Sequence, residues 1–130
     1  MCGLLPPLFP RMNAMTTPTP IDIATFEALK QTTGAAFAAE LADTFLAEAP
    51  AMLAELGRAR DAADAERFRR TAHSLKSNSM TFGALGLGAM AKSLELSGVS
   101  AVGQGDAPSL DELAAEYARV AAALKGLAHG

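Results

Sequence analysis

The stretch "AERFRRTAHSLKSNSMTF", Ala65 to Phe82, decides how the chain folds. At roughly 100° per residue, Ala65, Phe68, Ala72, Leu75, Ser79 and Phe82 fall within one stripe about 100° wide. Their spacings alternate between 3 and 4, the mark of one buried helix face. The stripe mixes bulky and small residues, so neighbouring helices can approach it closely. His73 lies roughly 130° from the centre of the stripe, on the solvent side. The segment therefore reads as an amphipathic helix carrying a histidine on its wet face.

The flanking sequence is also helical. Asp22 can cap a short leader helix through "IATFEALKQT", with Ile23, Phe26 and Leu29 on one face. After Gly34 a long helix is expected from Ala35 to Arg60, with Phe37, Leu41, Phe45, Met52, Leu53 and Leu56 as its apolar stripe. Pro50 lies inside it and should bend it near Leu46 to Ala49. The histidine helix is expected from Asp61 to Phe82, with Gly83 as a break. A further helix is expected from Ala84 to Ser97, carrying Leu87, Met90, Ala91 and Leu94 and weakened by Gly86 and Gly88. "SGVSAVGQGDAP" reads as a loop. "SLDE", Ser109 to Glu112, is a capping box opening a last helix with Leu113, Tyr117, Val120, Leu124 and Leu127. Four amphipathic helices, short connections and no strand pattern predict an all-α antiparallel four-helix bundle with a short N-terminal leader.

Composition agrees. The chain has 130 residues, enough for one domain, with no Trp and one Tyr to favour strands. Residues 1–20 hold five of the seven prolines and read as a tail, leaving 21–128 as the domain. Prolines 6, 7 and 10 interrupt the apolar start and no basic segment precedes it, so a signal peptide is rejected; Met12 and Met15 are alternative starts. No apolar run is long enough to span a membrane. The net charge of −3 argues against nucleic acid as the main partner. Cys2 is the only cysteine, so no internal disulfide forms, and one Cys with two His make no structural zinc site. A monomer in a reducing cytoplasm is expected.

The surroundings of His73 are specific. Lys76 and Ser77 stand one turn ahead of it, Arg70 and Arg69 one turn behind. An exposed imidazole is a good nucleophile near neutral pH. A phosphoryl group on it would be met by Lys76. Ser77 adds little bulk, so another protein can press onto the ring. On its own helix the histidine has no carboxylate three or four residues away to orient it; Glu66 is two turns back. There is no Walker loop and no nucleophile elbow, and "GLGAM" does not follow a strand, so nucleotide binding is not expected. His129, near the C-terminus, reads as inert.

"AHSLKSNSMTFGA", Ala72 to Ala84, resembles the signature of histidine-containing phosphotransfer domains, A-H-x-L-K-G-x-x-x-x-x-G-A. Ala72, His73, Leu75, Lys76, Gly83 and Ala84 match, and Ser77 replaces a glycine, small for small. "FLAEAPAMLAEL", Phe45 to Leu56, looks like the family's second helix, proline included. The resemblance spans about residues 21–127. It implies an up-down four-helix bundle in which His73 is phosphorylated and Lys76 pairs with the phosphoryl group. It implies a carrier, with no kinase or phosphatase activity of its own, that exchanges phosphate with aspartates on receiver domains of a hybrid histidine kinase and of response regulators. No cofactor is expected on this chain; the Mg²⁺ belongs to the receiver. Arg69 and Arg70 lie outside the signature and are expected, with Ser77 and Met80, to contact an acidic receiver face. The competing reading is a helical adaptor that binds a signalling partner without phosphate chemistry.

Overall fold

The computed structural model describes residues 19–105 and 107–129; the expected tail, except Thr19 and Pro20, lies outside them. The described residues form α1 (Ile23–Thr33), α2 (Ala35–Asp61), α3 (Ala65–Thr81), α4 (Leu85–Ser97) and α5 (Leu110–His129), with no strand. A three-residue 3₁₀ turn, Val99–Ala101, interrupts the loop before α5 and was not expected. α2 packs on α3 and α5, and α4 packs on α3 and α5, so these four helices close a ring; α1 leans on α2 and α3.

Local chemistry sets the ends. The Asp22 carboxylate accepts from the Thr25 N–H at 3.2 Å and from the Thr25 hydroxyl, capping α1. At α5 the capping box forms in full. The Ser109 Oγ accepts from the Glu112 N–H at 3.1 Å, and the Glu112 carboxylate accepts from the Ser109 N–H at 2.8 Å.

α3 starts later than the sequence suggests. α2 runs on to Asp61, and Asp64 caps α3 by accepting from the Arg67 N–H at 3.2 Å. Between them the Asp64 N–H reaches the Ala59 carbonyl at 2.8 Å and the Ala63 N–H reaches that of Arg60 at 3.1 Å. This is the paired Schellman turn, with Ala63 at φ 52° in the position that glycine ordinarily takes. α3 ends in the same motif. The Ala84 N–H bonds the Ser79 carbonyl at 2.9 Å and the Gly83 N–H that of Met80 at 3.2 Å, with Gly83 at φ 83°. A Cβ on Gly83 would lie 2.7 Å from the Asp22 carbonyl oxygen, because the leader docks there through Asp22 N–H to Gly83 O at 2.7 Å.

α2 continues as one helix through Pro50. Proline has no N–H, so the Leu46 carbonyl loses its partner four residues on. The Tyr117 hydroxyl of α5 donates to that carbonyl at 3.3 Å. Burial pushes the Tyr117 phenol above its ordinary pKa. Its ring meets Phe45 edge-on at 6.0 Å, and Phe45 in turn meets Phe82 at 5.4 Å.

The core holds Phe26, Phe45, Leu56, Phe68, Leu75, Leu87, Leu94, Leu113, Val120 and Leu124. Phe68, Ala72, Leu75, Ser79 and Phe82 are buried as the periodicity predicts, while Ala65 at the first turn is exposed. Of the expected stripe of α2, Phe45 and Leu56 are buried and Leu41, Met52 and Leu53 pack half-buried against the core. Phe37 is 50% exposed, and the inward face is made by Ala38, Ala42, Ala49 and Ala59 together with Phe45 and Leu56. Ile23 of α1 is likewise 47% exposed. Reading only the large side chains missed an alanine face, which packs by close approach rather than by bulk.

Candidate functional site around His73

α3 buries Phe68, Ala72, Leu75 and Ser79 and so turns His73 outward. Ser79 satisfies its buried hydroxyl by donating to the Leu75 carbonyl at 2.7 Å. The imidazole is 55% exposed. Lys76, one turn on, is 27% exposed and reaches toward α4.

α4 supplies what α3 lacks. Its buried face is Leu87, Gly88, Ala91 and Leu94, which places Glu95 at the edge of that face beside α3. Small residues bring the two helices together. A Cβ on Gly88 would lie 2.6 Å from the Met80 sulfur, so only glycine leaves that methionine its place. Glu95 Oε2 lies 2.9 Å from His73 Nδ1, and Glu95 Oε1 lies 3.0 Å from Lys76 Nζ. The carboxylate is 15% exposed. Lys76 first and His73 second hold its pKa below the ordinary 4.5, against the opposing effect of desolvation. Glu95 is therefore ionised at neutral pH.

That ionisation fixes the tautomer. A carboxylate only accepts hydrogen bonds, so Nδ1 must donate. In the neutral ring the proton on Nδ1 leaves Nε2 with its lone pair. One carboxylate thus orients the ring, holds Lys76 beside it, and leaves one nucleophilic nitrogen free. Along α3 His73 has no carboxylate three or four residues away, as expected; the orienter comes from another helix, which the pattern of α3 does not report. The available signal was that Glu95 is the sole acidic residue of α4, next to the buried Leu94.

The other expected site residues divide. Ser77 is exposed, and Met80 is 47% exposed over Gly88. Arg69 does not turn to the imidazole; its guanidinium pairs with Glu66 at 2.8 Å. Arg70 is exposed and lines a shallow groove with Glu48 and Glu55 on the α2 side. The described structure therefore joins His73 and Lys76 through Glu95 and leaves both arginines outside that cluster. His129, also outside that cluster, places Nε2 2.7 Å from Asp43 Oδ1, with both side chains more than half exposed. Among the described residues no group of three His, Cys, Asp or Glu is placed to hold a metal, and no helix is long and apolar enough to cross a membrane.

No curated protein and no solved structure matches the chain. The family model described as "Hpt domain" matches residues 40–126, a span containing His73, Lys76 and Glu95. With more than half of its length matched, the chain belongs to the Hpt domain family, whose members are phosphocarriers of two-component signalling.

Proposed function

We propose that His73 is the phosphorylated residue and that the chain relays a phosphoryl group between receiver domains, from a hybrid histidine kinase to a response regulator. The Nε2 lone pair attacks the phosphorus of a receiver's aspartyl phosphate. The N–P bond forms as the O–P bond breaks, and the aspartate leaves as carboxylate. With Nδ1 still protonated, the phosphorylated ring carries a positive charge, which Glu95 opposes at 2.9 Å. Lys76, at 3.0 Å from the same carboxylate and one turn along α3 from the ring, would pair with the phosphoryl oxygens. The cation neutralises charge in transit, and positioning supplies the rest. Mg²⁺ comes with the receiver. Attack by a second aspartate reverses these steps.

The observation that supports this reading is a half-exposed ring whose Nδ1 is held by an ionised carboxylate while Nε2 stays free. Residues 21–128 would form an up-down antiparallel bundle, monomeric and cytoplasmic; the closed ring of helix neighbours supports the bundle. The cations around the ring suit an acidic partner. Incubation with a phosphorylated receiver domain is expected to give acid-labile, base-stable phosphate on the chain, absent from His73→Gln. Label retained in that variant would refute the site. No label on the wild type from any receiver would leave the adaptor reading.

A further inference from the structure

α4 carries a second, outward stripe. Leu85, Ala89, Lys92 and Leu96 are all exposed and recur at spacings of four, three and four. Leu85 is 44% exposed and Leu96 is 74% exposed. Met80 of α3 lies alongside, its sulfur against Gly88. A hollow of about 430 Å³ between α3 and α4 is lined by Lys76, Met80, Leu85, Gly88, Ala89 and Lys92. The stripe is continuous with the site, because Lys76 belongs to both and Leu96 directly follows Glu95.

The other flank of the histidine helix has a different character. Its groove is lined by Glu48, Glu55, Arg58 and Arg70 among others, and none of its residues is an exposed large apolar side chain. Glu55 is already paired with Arg58 at 3.1 Å and with Arg67 at 2.9 Å. On the α4 side, apolar anchors surround a lysine that has no ion pair among the described residues. Apolar anchors with a flanking charge are the usual composition of an interaction surface.

We infer that Met80, Leu85, Ala89, Lys92 and Leu96 form the face on which the acidic receiver domain seats, with Lys92 opposite its carboxylates. This rests on the carrier reading of His73. It moves close docking from Arg69 and Arg70 to the α4 flank. A second copy of the chain is a poorer occupant, since two-fold pairing would set Lys92 against a stripe that offers no free carboxylate.

The test uses the full chain and each receiver domain of the source organism, phosphorylated beforehand with acetyl phosphate and Mg²⁺. The receiver that transfers fastest to the wild type is carried forward. Leu96→Glu and Lys92→Glu are each expected to lower the apparent second-order transfer rate about tenfold, with the rate at saturating receiver retained. The Lys92→Glu defect should shrink with added salt. Lys125→Glu, on the exposed side of α5, is expected to transfer as the wild type does. Unchanged circular dichroism and melting confirm folding, and Leu96→Ser serves as a milder replacement. Wild-type rates in both stripe variants would overturn the docking face. So would a wild-type dimer that Leu96→Glu dissociates without slowing transfer. Phosphoramidate, a small phosphoryl donor that needs no docking, separates the two proposals. If it labels wild type at His73 while the stripe variants accept normally from the receiver, the docking face falls and the carrier stands. If neither donor labels His73, both fall.

Discussion

The two cationic neighbourhoods of His73 look alike in sequence and differ in space. One turn ahead stands Lys76, 27% exposed and paired at 3.0 Å with a carboxylate that also holds the imidazole. One turn behind stand Arg69, paired with Glu66 at 2.8 Å on its own helix, and Arg70, which faces the α2 groove. Helical spacing makes all three neighbours of the histidine. Only Lys76 is joined to it through a third group, because α4 sets Glu95 between the two, whereas the α2 carboxylate on the other flank, Glu55, is taken up by Arg58 and Arg67. The difference teaches that a charge acts on the imidazole through a shared, partly buried partner, whereas proximity along a helix supplies a screened background.

Removing the shared partner should have the largest effect. Glu95→Leu leaves the tautomer unset and Lys76 unpaired, and is expected to slow transfer to His73 about 10–100-fold, as loss of an orienting group generally does. Glu95→Gln keeps an acceptor for Nδ1 but loses the charge, and should fall between Glu95→Leu and wild type. Stopped-flow transfer kinetics would show this. Equal rates in all three would make Glu95 a bystander. Lys76→Ala comes next. A single partly exposed cation is expected to be worth about 1 kcal/mol, or roughly fivefold in transfer rate, with helicity unchanged. Unfolding of that variant would mean that the lysine supports the bundle instead.

The Glu95 cluster should also appear in the pH dependence of stability. Its carboxyl is depressed below the ordinary 4.5 in the folded chain, so the unfolded state binds its proton first as pH falls. Its contribution is therefore complete above 4.5 and disappears as pH falls through the lower folded value. Urea melts across that range should show wild type losing more stability than Glu95→Gln. Parallel loss in the two proteins would mean the pairing adds nothing. The smallest effect belongs to the other neighbourhood. Reversing Arg69 and Arg70 to Glu together should slow transfer about twofold at low salt and not at all at high salt. A larger, salt-resistant loss would make the two neighbourhoods equivalent and erase the comparison.

Much of this was legible in the residues. The stripe Phe68, Ala72, Leu75, Ser79 states which face of α3 is buried, and the exposure of His73 follows from it by angle alone. The capping box at Ser109 and the break at Gly83 name their own geometry, because a serine–glutamate pair and a glycine at positive φ each suit few other roles. The same turn at the other junction was illegible, since its left-handed position is filled by Ala63, a residue that ordinarily continues a helix. On α2 the large inward residues were legible and the alanines between them were not, because alanine is apolar without being large; Phe37 is the one expected member that faces out. Glu95 was missed for a different reason. Periodicity locates neighbours within one helix, while the approach of α4 to α3 depends on which small residues face each other across the bundle.

The central claim is that Glu95 holds Nδ1 of His73 and leaves Nε2 to receive the phosphoryl group. Phosphorus–nitrogen correlation NMR on histidine-labelled protein, phosphorylated by a receiver domain, tests it directly. The expected spectrum has a single phosphorus coupled to Nε2 of His73, with the Nδ1 proton still present and shifted in Glu95→Leu. Phosphorus coupled to Nδ1, or found on a residue other than His73, would contradict it.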